Sequence, residues 1–270
     1  MILMKIGFIM PWTLLAIFIL FLIFYFIGLI DKKVNTVDIA YGLGYVVAAV
    51  LPWILSDDTV IMIERKIIIT ALIILWGIRI AVFLTIRKFG KDEVTKEDRR
   101  FKIFRDDWGK TFWWRSFLQL YVSQVILVFI IGFPAIVTNA NTDPGLQISD
   151  YIGIGIWIIG FFFEFTGDLQ MFLFKNKPEN SGKIMKKGLW KYSRHPNYFG
   201  EITMWLGIFV LGLYPYNVLN FVGIISPIII ALSLIFVSGI PLAEKKYDEN
   251  EEYQEYKRKT SILIPWFPKK

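Results

Sequence analysis

The chain reads as an all-α polytopic membrane protein with about seven transmembrane helices, its N-terminus outside and its C-terminus cytoplasmic. Three observations predict this. Hydrophobic residues fill 55% of its 270 positions, against ~45–50% apolar in an ordinary soluble domain. The excess is gathered into runs long enough to cross a bilayer, which takes about 20 apolar residues. Lys and Arg fall in alternate connections, the mark of cytoplasmic loops. A single integral membrane domain over 1–270 is the simplest organisation.

The first run, Ile9 to Ile30, exceeds the ~7–15 residues of a secretory h-region. Asp31-Lys32-Lys33 follows it without a small-residue cleavage site, so it reads as a retained helix. Further spans are expected at roughly 37–55, 67–86, 113–138, 151–174, 198–216 and 218–240. Between the third and fourth, residues 87–111 alternate charges with Phe101, Phe104 and Trp108, as an amphipathic surface helix does. Residues 139–150 carry turn formers and no positive charge, and read as an outer loop. Tyr214-Pro215-Tyr216-Asn217 predicts a tight turn between the last two spans. The stretch Glu244 to Lys259 is charged and helical in composition. It ends in Ile262-Leu263-Ile264-Pro265-Trp266-Phe267-Pro268, an apolar-aromatic stop suited to the membrane interface.

Of the 30 basic residues, 26 lie in residues 31–36, 87–115, 175–197 and the tail from 241, all on one side of the predicted topology. This placement, with a net charge of +7, points to an anionic membrane face or an anionic cofactor and not to nucleic acid. The absence of cysteine excludes disulfides, thiolate catalysis and Cys-ligated metals. A single histidine argues against a His-based zinc or haem site.

Ionisable residues within a span are costly and usually face a cavity or a partner. Asp38 stands at the entry of the second span, Arg79 well inside the third, and Glu164 and Asp168 in the fifth. Spacing alone admits a structural reading for each: an interhelical ion pair for Glu164, Asp168 and Arg79, and a helix cap for Asp38. Glu164 and Asp168 are four apart and share a helix face. The fifth span delivers Asp168, Gln170 and Lys175 toward one end. The next connection adds Lys177, Lys183, Lys186, Lys187, Lys191 and Arg194, and the sixth span opens with Asn197 and Glu201, also four apart. Carboxylates that accept ribose hydroxyls, beside cations that take phosphates, are what a dinucleotide requires. No Gly-x-Gly-x-x-Gly follows a strand, so the site is not a Rossmann domain. Within Gly188 to Glu201, GLWKYSRHPNYFGE, the lone His195 has no evident partner in the sequence, and Pro196 beside it suggests a structural turn.

GLWKYSRHPNYFGEITMWLGIF, preceded by Glu164-x-x-x-Asp168-x-Gln170 and followed by Ile264-Pro265-Trp266, resembles the steroid 5-alpha-reductase C-terminal-domain family. The resemblance is nearest to its bacterial branch, the DUF1295 membrane proteins, and extends to Leu75-Trp76-Gly77-Ile78-Arg79 and the charged stretch up to Trp108-Gly109. It implies a seven-helix reductase in a bacterial inner membrane, with residues 151–270 as the reductase-like region. Such an enzyme binds NADPH and delivers a hydride to an activated C=C of a lipophilic, steroid-, sterol- or isoprenoid-like substrate drawn from the bilayer. Carried over by position, Asp168, Lys175, Lys183, Asn197 and Glu201 match cofactor positions. Arg79 or Arg87 matches a basic residue at the end of the third helix, and Trp205 falls near the same pocket. Arg194, His195, Tyr198 and Lys245 join the cofactor set, with Glu244 and Tyr247 as further candidates in the tail. Asp38 and Glu201 are the catalytic candidates, Asp38 as a donor to the substrate oxygen.

The chain departs from the family at the substrate end. Enone reductases pair a Glu in the second helix with a Tyr in the third, where this sequence has Asp38 and the neighbourhood of Leu75 and Trp76; Tyr41 or Tyr45 would have to supply a hydroxyl. The competing resemblance is to isoprenylcysteine and phospholipid methyltransferases. These share an Arg-His-Pro-x-Tyr segment and a Glu-Glu-Tyr-x-x-Tyr tail, here Glu251 to Tyr256, and bind S-adenosylmethionine. The lysine cluster with Asp168 and Lys175 favours the phosphate-bearing cofactor.

Overall fold

The computed structural model describes residues 2–56, 63–89, 99–141 and 145–269. It is helical, with no strand among the described residues. Six helices there are long and apolar enough to cross a membrane by length and composition: Met4–Asp31, Thr36–Leu55, Glu64–Ile86, Phe101–Ile131, Ile148–Lys175 and Val218–Tyr247. The span expected at 198–216 forms a helix only over Pro196–Leu211, 16 residues. At 1.5 Å per residue that is about 24 Å, short of a hydrocarbon core of about 30 Å. Pro196 starts it, where a missing N–H costs nothing. It stops before Gly212 and Tyr214-Pro215, since the residue before a proline disfavours helix.

The chain divides into two compact units, Met1–Asp150 with Gly212–Ser226, and Tyr151–Leu211 with Pro227–Lys270. The first contains α1 (Ile2–Asp31), α2 (Thr36–Leu55), α3 (Glu64–Phe89), α4 (Arg99–Trp108), α5 (Phe112–Ser116), α6 (Ser123–Ile131) and α7 (Phe133–Ala140). Its hub is α2, which packs against α1, α3, α6 and α7. The α2–α3 contact is close because each helix places a glycine at it. A Cβ on Gly42 would lie 2.6 Å from the Gly77 carbonyl oxygen, and one on Gly77 equally near that of Gly42. Beside them the ring of Tyr45 meets Trp76 edge-on at 5.2 Å. Asn139 crosses from α7 to donate to the Ala49 carbonyl and to Thr70 Oγ1, both at 2.7 Å. Arg65 at the start of α3 grips the Asp150 carboxylate with two bonds of 2.7 and 2.8 Å. The same guanidinium lies over the Tyr214 ring.

The surface helix expected over 87–111 is α4, whose Phe104 and Trp108 rings stack at 4.8 Å. It runs without a clear stop into the fourth span through a 3-10 turn, α5 and a π-helical turn, Phe117–Val122. The extra residue of a π turn re-aims the side chains around it. Here it buries Tyr121, whose hydroxyl is 2.6 Å from Thr36 Oγ1 at the start of α2. The side chain of Arg87 and residues 90–98 lie outside the described residues.

The second unit is built on α8 (Ile148–Lys175) and α9 (Pro196–Leu211). Glycines seven apart on α8, Gly153 and Gly160, meet Gly207 and Gly200, seven apart on α9. A Cβ on Gly153 would lie 2.7 Å from the Gly207 carbonyl oxygen, and one on Gly160 would lie 2.6 Å from that of Gly200. One heptad further, a Cβ on Gly167 would lie 3.1 Å from the Asn197 backbone nitrogen. The chain then adds α10 (Val218–Val222, in the first unit), α11 (Ile225–Leu232), a π turn at Ser233–Val237, α12 (Ile240–Glu244) and α13 (Glu251–Lys259).

Backbone-to-backbone packing leaves no room for a side chain, and overfilling a packed site costs about 1–3 kcal/mol. Gly200→Val is expected to lower the thermal midpoint in detergent by several degrees. Gly155→Ala, where nothing lies within 4 Å, serves as the control and is expected to melt at or above the parent.

Candidate functional site

The connection between α8 and α9 is folded back onto the end of α8. Gly188 adopts φ +60°, and any Cβ there would collide with the Gln170 side-chain amide. That amide's Oε1 accepts from the Leu189 backbone N–H at 2.9 Å. Trp190 donates from Nε1 to the Gly167 carbonyl at 3.0 Å. These two bonds hold the loop against the last turns of α8, near Asp168. There Asn197, in the first turn of α9, donates from Nδ2 to Asp168 Oδ1 at 3.1 Å. Asn197 Oδ1 is buried without a hydrogen-bond partner.

The tail closes the other side of the loop. The Tyr256 hydroxyl on α13 donates to the Trp190 carbonyl. Ser193 and Ser261 form an isolated parallel bridge. The Arg194 backbone N–H donates to the Ser261 carbonyl at 2.8 Å, and the Ser193 hydroxyl donates to the Leu263 carbonyl at 2.7 Å.

Between loop and tail lies a buried charge cluster. Arg194 Nη1 reaches Glu244 Oε1 at 2.6 Å and His195 Nε2 reaches the same oxygen at 2.9 Å. Lys257, 43% exposed, approaches Oε2 at 3.3 Å. An ionised carboxylate only accepts, so His195 carries its proton on Nε2. Its ring stacks on Tyr198, with centroids 5.1 Å apart. The sequence reading left this imidazole without a partner; the tail supplies one from 49 residues away. Burial lowers the His195 pKa below the ordinary imidazole value, outweighing the raising effect of Glu244, and Arg194 lowers it further. Burial also raises the hydroxyl pKa values of Tyr253 and Tyr256.

The remaining expected site residues fall into three groups. Glu164 and Glu201 are buried carboxylates of α8 and α9; α9 crosses α8 at Gly200 and Glu164, where a Cβ on Gly200 would meet the Glu164 backbone. Trp205 is buried one turn beyond Glu201. Lys175, Lys183 and Lys245 are exposed, and Tyr198 is half-buried. Asp38 and Arg79 belong to the first unit and are half-buried. Asp38 sits in the first turn of α2, where a carboxylate complements the helix dipole; the N-cap position itself is Asn35. The structure therefore joins Asp168 with Asn197, and Arg194 with His195 and Glu244. Gln170 as a loop clamp, Lys257 as a third partner of Glu244 and the glycine heptads escaped the sequence reading. The heptads were detectable as Gly153, Gly160 and Gly167 against Gly200 and Gly207.

Breaking a buried ion pair from one side strands the other charge, at about 3–5 kcal/mol. Glu244→Gln is expected to lower the melting midpoint sharply, while Lys257→Gln, removing a half-exposed partner, shifts it little. The depressed His195 pKa means that the unfolded chain binds this proton first as pH falls. Stability from this group is present above about pH 6.5 and is lost as pH drops through the folded-state value. Melting curves from pH 8 to pH 5 are expected to fall more steeply for the parent than for His195→Gln.

Over 94 residues, 34% of the chain, the sequence is 32% identical to a protein-S-isoprenylcysteine O-methyltransferase of Saccharomyces cerevisiae, covering 36% of that protein. Over 116 residues, 42% of the chain, it is 25% identical to a 3-oxo-5-alpha-steroid 4-dehydrogenase 1 of Rattus norvegicus, covering 40% of that protein. The chain thus matches less than half the length of either curated relative. No solved structure matches it. Residues 24–260 match the family described as protein of unknown function, DUF1295. With most of its length covered by that match, the chain belongs to the DUF1295 family.

Proposed function

We propose that the chain is an oxidoreductase acting on CH–CH groups, which uses NADPH to deliver a hydride to an activated C=C of a lipophilic steroid-, sterol- or isoprenoid-like substrate taken from the bilayer. The observation that carries this reading is the Asp168–Asn197 pair beside a lysine-rich loop. Asp168 is a half-buried acceptor suited to ribose hydroxyls, and Asn197 has a buried Oδ1 with no hydrogen bond. An amide oxygen in that condition has an unused acceptor position, which a ligand's carboxamide or hydroxyl would satisfy. The exposed cations Lys175 and Lys183 belong to the same end of this unit and fit phosphate groups. Lys245 extends the basic set into the tail. Arg194 and His195, engaged by Glu244, hold the turn from which Asn197 and Tyr198 start.

On this reading Glu201 orients the reacting end of the cofactor from the first turns of α9. Arg79 and Asp38 keep the roles inferred from position, Asp38 as donor to the substrate oxygen. The distribution of Lys and Arg supports a cytoplasmic C-terminus and opens the lysine-rich loop to cytosolic cofactor.

A second reading has its own support. The yeast relative is a methyltransferase, and Arg194 is spent on Glu244 within the fold, which removes one cation from phosphate duty. S-adenosylmethionine needs no phosphate site. Calorimetry of the purified protein with each cofactor separates the two. The proposal expects NADPH to bind, and binding of S-adenosylmethionine alone overturns it. Asp168→Ala is expected to weaken NADPH binding by about 10-fold or more, the scale of a hydrogen bond to a charged group. Asp38→Asn is expected to cut enone-dependent cofactor oxidation while calorimetric binding stays near that of the parent.

A further inference from the structure

We propose that the C-terminal tip, Ile262 to Pro268, docks on the anionic headgroup layer of the membrane and so clamps the Ser193-Arg194-His195 turn from the lipid side. The tip is bonded to the loop, and its large apolar side chains are exposed. Ile262, Ile264, Trp266 and Phe267 are 44%, 63%, 71% and 76% exposed along a segment that bends at 262–264. These four exposed side chains make the tip apolar. The backbone beneath is fastened to the loop. Ser193 donates to the Leu263 carbonyl, the Arg194 N–H to the Ser261 carbonyl, and the Trp266 N–H to the Tyr192 carbonyl at 2.9 Å. The Phe267 ring stands edge-on to Tyr192 at 5.9 Å.

The tip is thus apolar, exposed and fastened to the loop. Its chemistry names the occupant. Trp beside proline and aliphatic residues is the composition that settles at the level of the lipid headgroups. The flanks are basic. The Lys269 N–H donates to the Lys259 carbonyl, which brings the two ends of the tail together. Lys191, preceding Tyr192, is exposed, as are Arg258, Lys259 and Lys269. An apolar tip between exposed cations complements an anionic bilayer surface, which attracts basic segments close to it. The same unit contains the membrane-length α8, whose terminal segment receives the loop through Gln170 and Trp190. The tip therefore belongs to the end of the unit where a bilayer surface must lie.

The consequence is a mechanical link. The bonds that seat the tip are made by Tyr192, Ser193 and Arg194, immediately before the turn of His195 and Asn197. Lipid contact at the tip therefore restrains this turn whichever cofactor the site takes.

The chain has no cysteine, so Phe267→Cys creates its sole thiol, on an exposed side chain. The full-length variant, labelled there with an environment-sensitive fluorophore, is reconstituted in nanodiscs of phosphatidylcholine alone or with phosphatidylglycerol. In the anionic discs the emission is expected to shift to the blue, with at least fivefold protection from the neutral aqueous quencher acrylamide relative to phosphatidylcholine alone. Adding Lys191→Gln and Lys269→Gln is expected to remove most of that protection, since each basic residue near an anionic surface is worth about fivefold in binding. Equal acrylamide quenching in both discs, whether strong or weak, overturns the proposal. In the unlabelled parent, proteolysis between α8 and α9 is expected to slow in anionic discs, and an unchanged rate overturns the link to the turn.

Discussion

Contact between α8 and α9 through facing glycines is the constraint on which the second unit depends. Without Cβ atoms at Gly153, Gly160, Gly200 and Gly207, the two backbones approach to carbonyl contact. Membrane helices gain little from apolar burial against each other, because lipid tails are as apolar as the side chains they replace. Close van der Waals packing at small residues supplies the association instead. The seven-residue spacing on both helices continues the contact to Gly167, where the start of α9 meets α8. That register places Asn197 beside Asp168. A slip by one turn would separate them by about 5 Å and dissolve the pair.

A second level of organisation is laid over this crossing by charge. Glu244 takes bonds from Arg194 and His195 and an approach from Lys257, three residues drawn from the loop and from α13. A lone buried carboxylate would be expensive, and one surrounded by donors is not. Each partner is positioned by backbone bonds of its own: the loop by Gln170 and Trp190, the tail by Ser193, Ser261 and Tyr256. The cluster, the loop and the tail therefore form one cooperative assembly. Arg194 and His195, nominated individually as cofactor ligands, are bonded within it to Glu244 and lead directly into Asn197 and Tyr198.

Most of the helices were legible in the sequence, because runs of some 20 apolar residues admit few other structures in lipid. Five expected spans coincide with membrane-length helices, and the last extends to Tyr247. The exceptions are physical. The helix at Pro196 is cut short by the proline turn after Leu211, and the fourth span absorbs the amphipathic stretch before it through a π turn. Neither is visible to a hydropathy window, which registers apolar content and not backbone winding. The DUF1295 resemblance was carried by local motifs, and the match over residues 24–260 bears it out.

The site divides along the same line. Asp168, Asn197 and Glu201 could be nominated from spacing on helix faces, which is local and periodic. That Asp168 bonds Asn197 depends on how α8 crosses α9, and the sequence alone determined only that both lie on helices. The partner of His195 was beyond local reasoning, because Glu244 is 49 residues away and its approach is set by the break after the π turn at Ser233–Val237. Composition and hydropathy are sums along the chain and determine which segments are helical and apolar. Only the tertiary structure decides which buried charge meets which, because an ion pair requires two side chains within about 3 Å, and that distance is a property of packing.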